Sequence, residues 1–401
     1  MNGWRVVVFE PVDVVASTDP RGLDEGGTTR SSGLSPLTLA GAVRAALLRA
    51  AGVPLPLPDE KKLTEEQRKW ARALGLYPEE DMTFRFAGPL LYHNGSLFFP
   101  APLHVLRRGG SHALDTPAEL LERDGSWAAD AGLGGLGLLA PPEAAPDAEP
   151  PDGLWVAGRV LRGLLSAGGR PAWRRASPFD AFFAGELRHG HGRHPVTRTV
   201  DEGRLFSRAC LRPRGESQSG DPFVNVPCYA GLVRGVPEDL LPAQAVIARL
   251  GGDGHLARLR VLTQKESSRL LDPLEKLRND VLKAVKRPSR TRPLAVYLAT
   301  PSVARAGWMP GGLAAAGVRA AAVGRPEALS GWDLQKGGPR PVRRAVPAGS
   351  VYCCHVDPAC AAGFVERWFL NEPLTDGYAG LGPGLSAVGL WPGGGARGGG
   401  S

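Results

Sequence analysis

The chain has 401 residues, enough for two domains of ordinary size with a substantial core in each. Its formal charge of +8 and isoelectric point near 9.5 favour polyanionic partners over acidic ones. It has no run of about 18 apolar residues, and its N-terminus lacks the basic-then-apolar order of a signal peptide. These features predict a cytoplasmic protein without a membrane partner.

The charge is unevenly distributed along the chain. Arginine supplies 40 of the 48 basic residues; its planar donor fork suits phosphate better than Lys does, although a GC-rich genome explains the same excess. Segment 115–152 holds nine acidic residues and one Arg, whereas 258–292 holds eleven basic and four acidic residues. One part should therefore repel a nucleic acid that the other attracts. Five cysteines, an odd number, argue against a disulfide framework.

The first part of the chain predicts strands and helices in alternation. Residues 5–15 are β-branched and predict a first strand. A helix is predicted from an N-cap at Ser35 to a stop at Gly52. A second helix is predicted from a capping box at Thr64 to Gly75.

Turn residues divide the middle of the chain. Asn94-Gly95 between two apolar arms predicts a β-hairpin, and Thr116-Pro117 begins a predicted short helix. PPEAAPDAEPPD is acidic, Pro-rich and almost free of core-forming residues, so it predicts a linker. The predicted organisation is an N-terminal domain at 1–140, the linker at 141–153, a C-terminal domain at 154–390 and a disordered Gly-rich tail at 391–401.

The second half is predicted to be β-rich around one long helix. The predicted elements are a helix at 178–187, a hairpin turning at Asp201-Glu202-Gly203, a hairpin turning at 251–254, an amphipathic helix at 270–285, strands at 294–299, 318–323 and 351–355, and a short helix at 364–370. Strand-helix-hairpin-helix-strand units on each side of the linker suggest two ferredoxin-like (RRM-like) domains with long loop insertions; from the residues alone the prediction is an α+β fold with two domains.

Segment 331–390 combines basic and glycine-rich sequence. Five basic and two acidic residues lie between Arg325 and Arg344, in a Gly/Pro-rich stretch that resists helix formation. The glycine loop GYAGLGPG follows at 377–384. Arg supplies paired donors for a phosphate, and Gly lets main-chain N–H groups approach closely. The two segments together predict a surface that binds a phosphodiester chain.

This stretch resembles a known family. GWD, a basic Pro-rich run, RAVPAGSVY and the glycine loop are similar to a RAMP-superfamily subunit of CRISPR type III-B (Cmr) effector complexes. Further blocks of resemblance are Thr38–Arg44, FAGPLLYHNGSLFFPAPLHVL and HPVTRTVDEGRLF. The loop at 17–22 departs from the aromatic-Arg-Asp-Gly-Arg sequence that is usual in the family.

The resemblance implies a non-catalytic subunit that binds crRNA and helps to assemble a ribonucleoprotein for antiviral defence. It implies recognition of the backbone of the single-stranded 5′ tag, no cofactor or metal, and two protein partners: the large polymerase-like subunit and the neighbouring backbone RAMP subunit. The candidate RNA-binding residues are Arg188, Arg193, Arg198, Lys336, Arg343, Arg344, Gly377, Tyr378, Gly380, Gly382 and Gly384. We expect the Tyr378 ring to stack on a base.

The histidine-rich segment 185–214 supports an alternative. It holds seven Arg, three acidic residues and three histidines, His189, His191 and His194. Related RAMP endoribonucleases cut CRISPR RNA precursors without metal, through a histidine that acts as general base or acid. A metal-independent endoribonuclease, a scaffold without RNA contact and a solvated Arg-rich hairpin therefore stay open beside the RNA-binding hypothesis.

Two other motifs have structural explanations. Cys353-Cys354-His355 offers zinc-ligand residue types, with Asp357 and Cys360 after it, but adjacent strand residues point to opposite faces and no second Cys-x-x-Cys occurs. Buried cysteines are favoured there. The glycine loop lacks the Gly-Lys-Ser/Thr of a Walker loop and the βαβ unit of a dinucleotide site.

Overall fold

The structure is a computed structural model, which describes residues 3–16, 28–29, 33–55, 58–76, 82–121, 136, 138–166, 175–194, 196–215, 226–251, 254–287, 293–333 and 338–391. Within these ranges no helix has the length and apolar character needed to cross a membrane. Helices and mostly antiparallel strands alternate along the chain, so the predicted α+β class is confirmed.

The α-helices in the described residues are α1 (Pro36–Ala50), α2 (Glu65–Ala73), α3 (Gly158–Leu165), α4 (Gln264–Val285) and α5 (Pro358–Trp368). Four of the five begin after a residue whose side chain caps them, and α3 begins after Ala157, which makes no such bond. The Ser35 hydroxyl accepts from the Leu37 N–H, and Thr64 forms a capping box with Gln67. These side chains satisfy backbone donors that the first helical turn leaves unpaired. The predicted starts of α1 and α2 are therefore confirmed.

The strands are short except in one hairpin. They are β1 (Arg5–Pro11), β2 (Thr28–Thr29), β3 (Arg85–His93), β4 (Ser96–Pro100), β5 (Val105–Arg107), β6 (Leu114–Pro117), β7 (Glu119–Leu121), β8 (Leu138–Ala140), β9 (Leu154–Ala157), β10 (Ser177–Pro178), β11 (Phe183–Arg193), β12 (Val200–Pro213), β13 (Cys228–Arg234), β14 (Val246–Arg249), β15 (Leu256–Val261), β16 (Leu294–Leu298), β17 (Ser302–Val303), β18 (Val318–Ala322), β19 (Glu327–Leu329), β20 (Trp332–Asp333), β21 (Gly338–Pro339), β22 (Arg343–Val346), β23 (Val351–Cys354), β24 (Leu381–Gly382) and β25 (Ser386–Leu390).

Two sheets organise the core. The main sheet has the order β10-β9-β4-β3-β13-β1-β15-β14, with β24 parallel to β3, and the second has the order β18-β23-β16-β25. In β1, Val7 and Phe9 pack in the cluster that contains α1, whereas Val6 and Val8 pack in the cluster of α3, α4 and the second sheet. Alternate residues of a strand point to opposite faces, so β1 is buried on both sides.

The sheets do not divide at the predicted linker. Strands β13, β14 and β15 join β1 and β3 in the main sheet, although 141–153 separates them in sequence. The second sheet begins with β16, after α4. The sheet boundary therefore lies near α4, unlike the predicted boundary at 141–153. The division into two ferredoxin-like domains stays a prediction.

The acidic segment 141–153 is packed against the fold. Ala145 and Ala148 are buried in a small apolar cluster with Leu106. Glu149 and Arg107 exchange two backbone hydrogen bonds of 2.9 Å, and their side chains form a 2.8 Å ion pair. Small side chains and backbone pairing hold this segment without large apolar residues. At the predicted tail, Trp391 is buried, and 392–401 lie outside the described residues.

Two predicted helices are wrong. Thr116 lies in β6, where it pairs with Leu106 of β5. The segment at 178–187 contains a single 3₁₀ turn at Phe179–Ala181 and then enters β11. Both segments satisfy their backbone groups by pairing with another strand, and such pairing outweighs local helix preference.

The predicted turn at 201–203 is also wrong. Strand β12 continues through those residues, and the turn between β11 and β12 lies at 194–199. The His194 Nδ1 accepts from the N–H groups of Val196 and Thr197, at 3.3 and 3.2 Å. This side chain supplies the acceptor that closes the turn. The predicted hairpins at Asn94-Gly95 and at 251–254 are confirmed by the β3–β4 and β14–β15 pairs.

Candidate nucleic-acid interface

Residues 327–333 and 338–346 form two antiparallel arms, which we call the basic ribbon, and β17 pairs with the other side of β22. Leu329 pairs with Arg343, and Trp332 pairs with Pro339. The Ser330 hydroxyl donates to the Arg340 carbonyl at 2.6 Å. At 327–333 and 338–346 the Gly/Pro-rich sequence therefore forms ordered antiparallel pairs and no helix, as predicted. Candidate Lys336 lies outside the described residues.

Arg343 and Arg344 present cations on the surface of the basic ribbon. Both side chains are exposed, whereas the next residue, Ala345, is buried and anchors β22. Among the described residues, no carboxylate forms an ion pair with either guanidinium. Their charges are thus available to an external anion, and Arg donates to phosphate in a forked geometry.

The glycine loop touches the basic ribbon and the main sheet. The Tyr378 hydroxyl donates to the Pro341 carbonyl at 3.2 Å, and Gly377 packs on Val303. Leu381 pairs in parallel with Phe86 of β3. The structure therefore brings two of the predicted RNA-binding segments together, as the sequence suggested.

The last three glycines of the loop are buried in protein contacts. The carbonyl of Gly380 accepts from the Phe86 N–H, that of Gly382 from the Thr300 hydroxyl, and that of Gly384 from a backbone N–H. Each has a positive φ, and an added Cβ would lie within 3 Å of another group. Glycine is thus required here for close packing between segments. Contact of these residues with RNA stays a prediction.

Strands β11 and β12 form a long hairpin, which we call the β11–β12 arm, and Arg188 is neutralised at its base. Arg188 donates to Glu186 at 2.7 Å and to Asp13 at 2.6 Å, while Arg212 pairs with the same two carboxylates. The hydrogen bonds from Arg212 and then Arg188 lower the pKa of Glu186 to about 2. Two cations and two anions cancel, so Arg188 is a weaker candidate for a phosphate contact than its sequence position suggested.

Arg193 and Arg198 lie near the exposed tip of the β11–β12 arm. Arg193 Nε donates to His191 Nε2 at 3.2 Å, and Arg198 has a φ of 57° in the turn. His189 Nδ1 lies 2.8 Å from the Ser207 hydroxyl. Two of the three histidines therefore contact the candidate arginines or the turn through ring nitrogens that accept hydrogen bonds. An accepting ring nitrogen carries no proton.

A cleft of about 1530 Å³ opens between α1, residues 151–155 and the basic ribbon. Most of its lining is apolar. The charged lining residues in the described part of the chain are Arg49, Arg249, Arg325, Asp152 and Glu327. Trp332 lies at its rim and is 61% exposed. A mainly apolar cleft with a surplus of arginine matches a ligand that has both flat bases and phosphates.

Glu327 is a carboxyl of this cleft whose environment shifts its pKa. Burial by the surrounding walls, and then the charge of Asp152, raise the pKa of its carboxyl to about 7. The residue is exposed at the mouth of the cleft. A hydrogen-bond donor entering the cleft would stabilise the ionised carboxylate.

A family model described as CRISPR-associated protein (Cas_Cmr3) matches residues 7–391. The chain belongs to the Cas_Cmr3 family. It is therefore a Cmr-type subunit of a type III CRISPR effector. No curated protein matches the chain.

Two solved structures are similar to this Cas_Cmr3 chain. One is a chain of the type III-B Cmr-beta complex bound to cognate target RNA and AMPPnP, with a TM-score of 0.45, 15% identity and coverage of 87% of this chain and 86% of that chain. The other belongs to the Csm3-Csm4 subcomplex of the type III-A CRISPR-Cas interference complex, with a TM-score of 0.37, 9% identity and coverage of 88% and 94%.

Two cysteines of the zinc-like motif in the Cas_Cmr3 chain are buried strand residues, whereas Cys360 is exposed in α5. Cys353 and Cys354 lie in β23 and have no exposed surface. Burial raises the pKa of the Cys353 thiol to about 12, and that of Cys354 further. Both sulfurs are therefore held as thiols, whereas zinc binding requires thiolates.

Sequence reasoning did not identify the cleft. Its charged residues come from segments as distant as Arg49 and Glu327, and no local motif links them. Trp332 gave the only signal, because it follows Gly331 in the most family-like block, but an aromatic residue in a loop is more often part of a core. Its exposure became visible only in the structure.

Proposed function

We propose that this chain is a non-catalytic crRNA-binding and assembly subunit of a type III-B effector, and that it recognises the backbone of the crRNA 5′ tag in antiviral defence. Membership of the Cas_Cmr3 family supports a role inside a CRISPR effector. The single observation that carries the RNA contact is the pair of exposed, uncompensated guanidinium groups of Arg343 and Arg344, on the strand that pairs with the cleft-lining residues Leu329 and Ala328.

The basic ribbon has the chemistry of a backbone reader. Neighbouring strand residues point to opposite faces, so Arg343 and Arg344 would donate forked hydrogen bonds to different phosphates, one on each face of the ribbon. The cleft beside it would take bases that single-stranded RNA leaves unstacked. Arg193 and Arg198, at the tip of the β11–β12 arm, would add phosphate contacts farther along the RNA.

The proposal includes no catalytic residue. Metal-independent cleavage needs a histidine free to move a proton at the scissile phosphate. His194 Nδ1 instead accepts two backbone hydrogen bonds in the turn, and His189 contacts Ser207. Cleavage of a repeat RNA in EDTA by the wild-type chain, abolished by substituting the three histidines, would replace this proposal with the endoribonuclease.

The proposed partners are crRNA, the large polymerase-like subunit and the neighbouring backbone RAMP subunit. RAMP membership and two ferredoxin-like domains are part of the same proposal, and they rest on the sequence resemblance. Ultraviolet crosslinking of crRNA labelled at its 5′ end to the chain, alone and with the large subunit, tests the placement. We expect crosslinked peptides from 338–346 and from the β11–β12 arm.

Arginine substitutions test the contact itself. Arg343→Ala and Arg344→Ala should each weaken binding of a tag RNA by about fivefold, which corresponds to about 1 kcal/mol per lost contact. Each should also reduce the slope of log K against log salt by about 0.7. Binding is measured with the assembled complex at several salt concentrations.

Arg319→Ala is the matched control, because Arg319 is exposed on β18 of the second sheet and its substitution removes the same charge. It should leave both the affinity and the salt slope unchanged. Equal effects from all three substitutions would mean that net charge, and not the basic ribbon, attracts the RNA. No effect from Arg343→Ala and Arg344→Ala would show that the site is elsewhere.

A further inference from the structure

Trp332 holds an exposed indole in a fixed position. Its backbone pairs with Pro339, and the preceding residue, Gly331, packs so closely on Leu37 of α1 that an added Cβ would lie 3.0 Å from the Leu37 Cβ. The Arg340 N–H donates to the Gly331 carbonyl at 2.7 Å. The indole is therefore presented by an ordered ribbon at the rim of the cleft. An exposed aromatic face beside arginines is the usual platform for an unstacked base.

Glu327 in β19 and Trp332 in β20 lie on the same arm of the basic ribbon. They are five positions apart, a separation of at most about 16 Å at about 3.3 Å per position. One base cannot contact both side chains, but successive nucleotides of a strand lying along the ribbon can. Arg343 and Arg344 lie opposite Leu329 and Ala328, between these two positions. Along its length the ribbon thus presents an aromatic surface for stacking, then arginine donors for phosphates, and then a carboxylate acceptor.

The Glu327 carboxylate is suited to a donor-rich base edge. It lines the cleft together with Asp152, whose negative charge disfavours its ionisation. A ligand that donates two hydrogen bonds would offset this repulsion, because donors favour the ionised form. Among bases, guanine presents adjacent imino and amino donors on its Watson–Crick edge, and protein carboxylates accept from base amino groups.

We propose that the cleft selects bases of the bound RNA, with Trp332 stacking on one base at the rim and Glu327 accepting from the imino and amino donors of a guanine farther along the ribbon. This inference rests on the proposed function, because the RNA must first bind the basic ribbon. It adds base selection to backbone recognition.

The test uses the full-length chain and labelled oligouridines of about eight nucleotides that carry one guanosine, inosine or abasic position. Inosine lacks the 2-amino group of guanosine. When guanosine occupies the position that contacts Glu327, binding should be about tenfold tighter than when inosine occupies it. Glu327→Gln should abolish that difference, because the amide replaces one acceptor oxygen with a donor. Trp332→Ala should weaken binding of all base-containing probes by about tenfold, and Trp332→Phe should retain most of the wild-type affinity.

Asp147→Asn is the control for charge. Asp147 is exposed in the same acidic segment as Asp152 but does not line the cleft. It should preserve the preference for guanosine over inosine. A pH series adds a second readout: with Asp152 and the arginines at 49, 249 and 325 lining the same cleft, the Glu327 carboxyl with a pKa of about 7 is ionised at pH 8 and protonated at pH 6. The guanosine preference should therefore be larger at pH 8.

The outcomes separate this inference from the proposed function. If the oligouridines bind and Arg343→Ala weakens them, but guanosine and inosine bind equally at every position, base selection by Glu327 is refuted while backbone recognition stands. If Trp332→Ala binds abasic and base-containing probes as the wild type does, the stacking role is refuted. If no probe binds and crRNA gives no crosslink in the assembled complex, both proposals fail.

Discussion

Gly382→Ala is expected to destabilise the protein in the absence of RNA. Gly382 lies in β24, between β3 and the N-terminus of α1. Its φ is +119°, and an added Cβ would lie 2.6 Å from the Pro36 Cβ. The Thr300 hydroxyl donates to its carbonyl at 2.9 Å, so the backbone is held on the other side as well. The site cannot move away from Pro36 without breaking that contact.

The size of the effect follows from two costs. A non-glycine residue at such a φ costs about 1–3 kcal/mol. Overlap with a packed proline costs about 1–3 kcal/mol more. The free energy of unfolding should therefore fall by about 2–6 kcal/mol. For a chain of 401 residues this corresponds to a decrease in Tm of about 2–7 °C.

The assay is thermal unfolding of the RNA-free protein, followed by tryptophan fluorescence. Gly363→Ala is the control, because Gly363 is exposed in α5 and an added Cβ meets nothing within 4 Å. Alanine favours a helix by about 1 kcal/mol over glycine, so this variant should be unchanged or slightly more stable. An unchanged Tm for Gly382→Ala, together with weaker RNA binding, would refute the packing argument and assign the glycine to RNA contact.

Two further predictions concern titratable groups. His104 is fully buried beside Trp391, and desolvation lowers its pKa to about 3. Because the imidazole of the unfolded chain takes up a proton below about pH 6.5, the free energy of unfolding of the wild type should fall by about 2 kcal/mol between pH 7 and pH 5. His104→Phe should not show this loss when unfolding is measured at both pH values. Arg188→Ala should leave the salt slope of RNA binding unchanged, because Asp13 and Glu186 already neutralise Arg188, while hydrogen exchange at the base of the β11–β12 arm should become faster. A smaller salt slope would instead place a phosphate on Arg188.

Local sequence predicted the elements whose stabilising contacts are local. Ser35 and Thr64 cap helices through residues two or three positions away. Asn94 and Gly95 both adopt the positive φ that a tight hairpin needs. The long helix α4 follows from its apolar stripe, with the start earlier than predicted because Thr263 forms the cap. The α+β class and the family resemblance were likewise visible in the sequence.

The candidate site was predicted in part. The sequence indicated that the basic segment and the glycine loop act together, and the Tyr378–Pro341 hydrogen bond joins them. It did not indicate that Asp13 neutralises Arg188 from 175 positions away, since an ion pair at that separation leaves no local pattern. The predicted helix at 178–187 also covered the first residues of β11, because the strand that pairs with β11 is recognised only once both are placed.

Residue types and short spacings were sufficient to predict the charge balance, the caps of α1 and α2, the Asn94-Gly95 turn and the family resemblance, because each depends on neighbours within a few positions. The sheet boundary, the burial of Gly382 and the cleft depend on contacts between distant segments, such as the hydrogen bond from Ser35 to Ser330, 295 positions apart. Those contacts are chosen by the packing of the whole chain. For that reason the availability of Arg343, the neutralisation of Arg188 and the exposure of Trp332 were settled by tertiary structure.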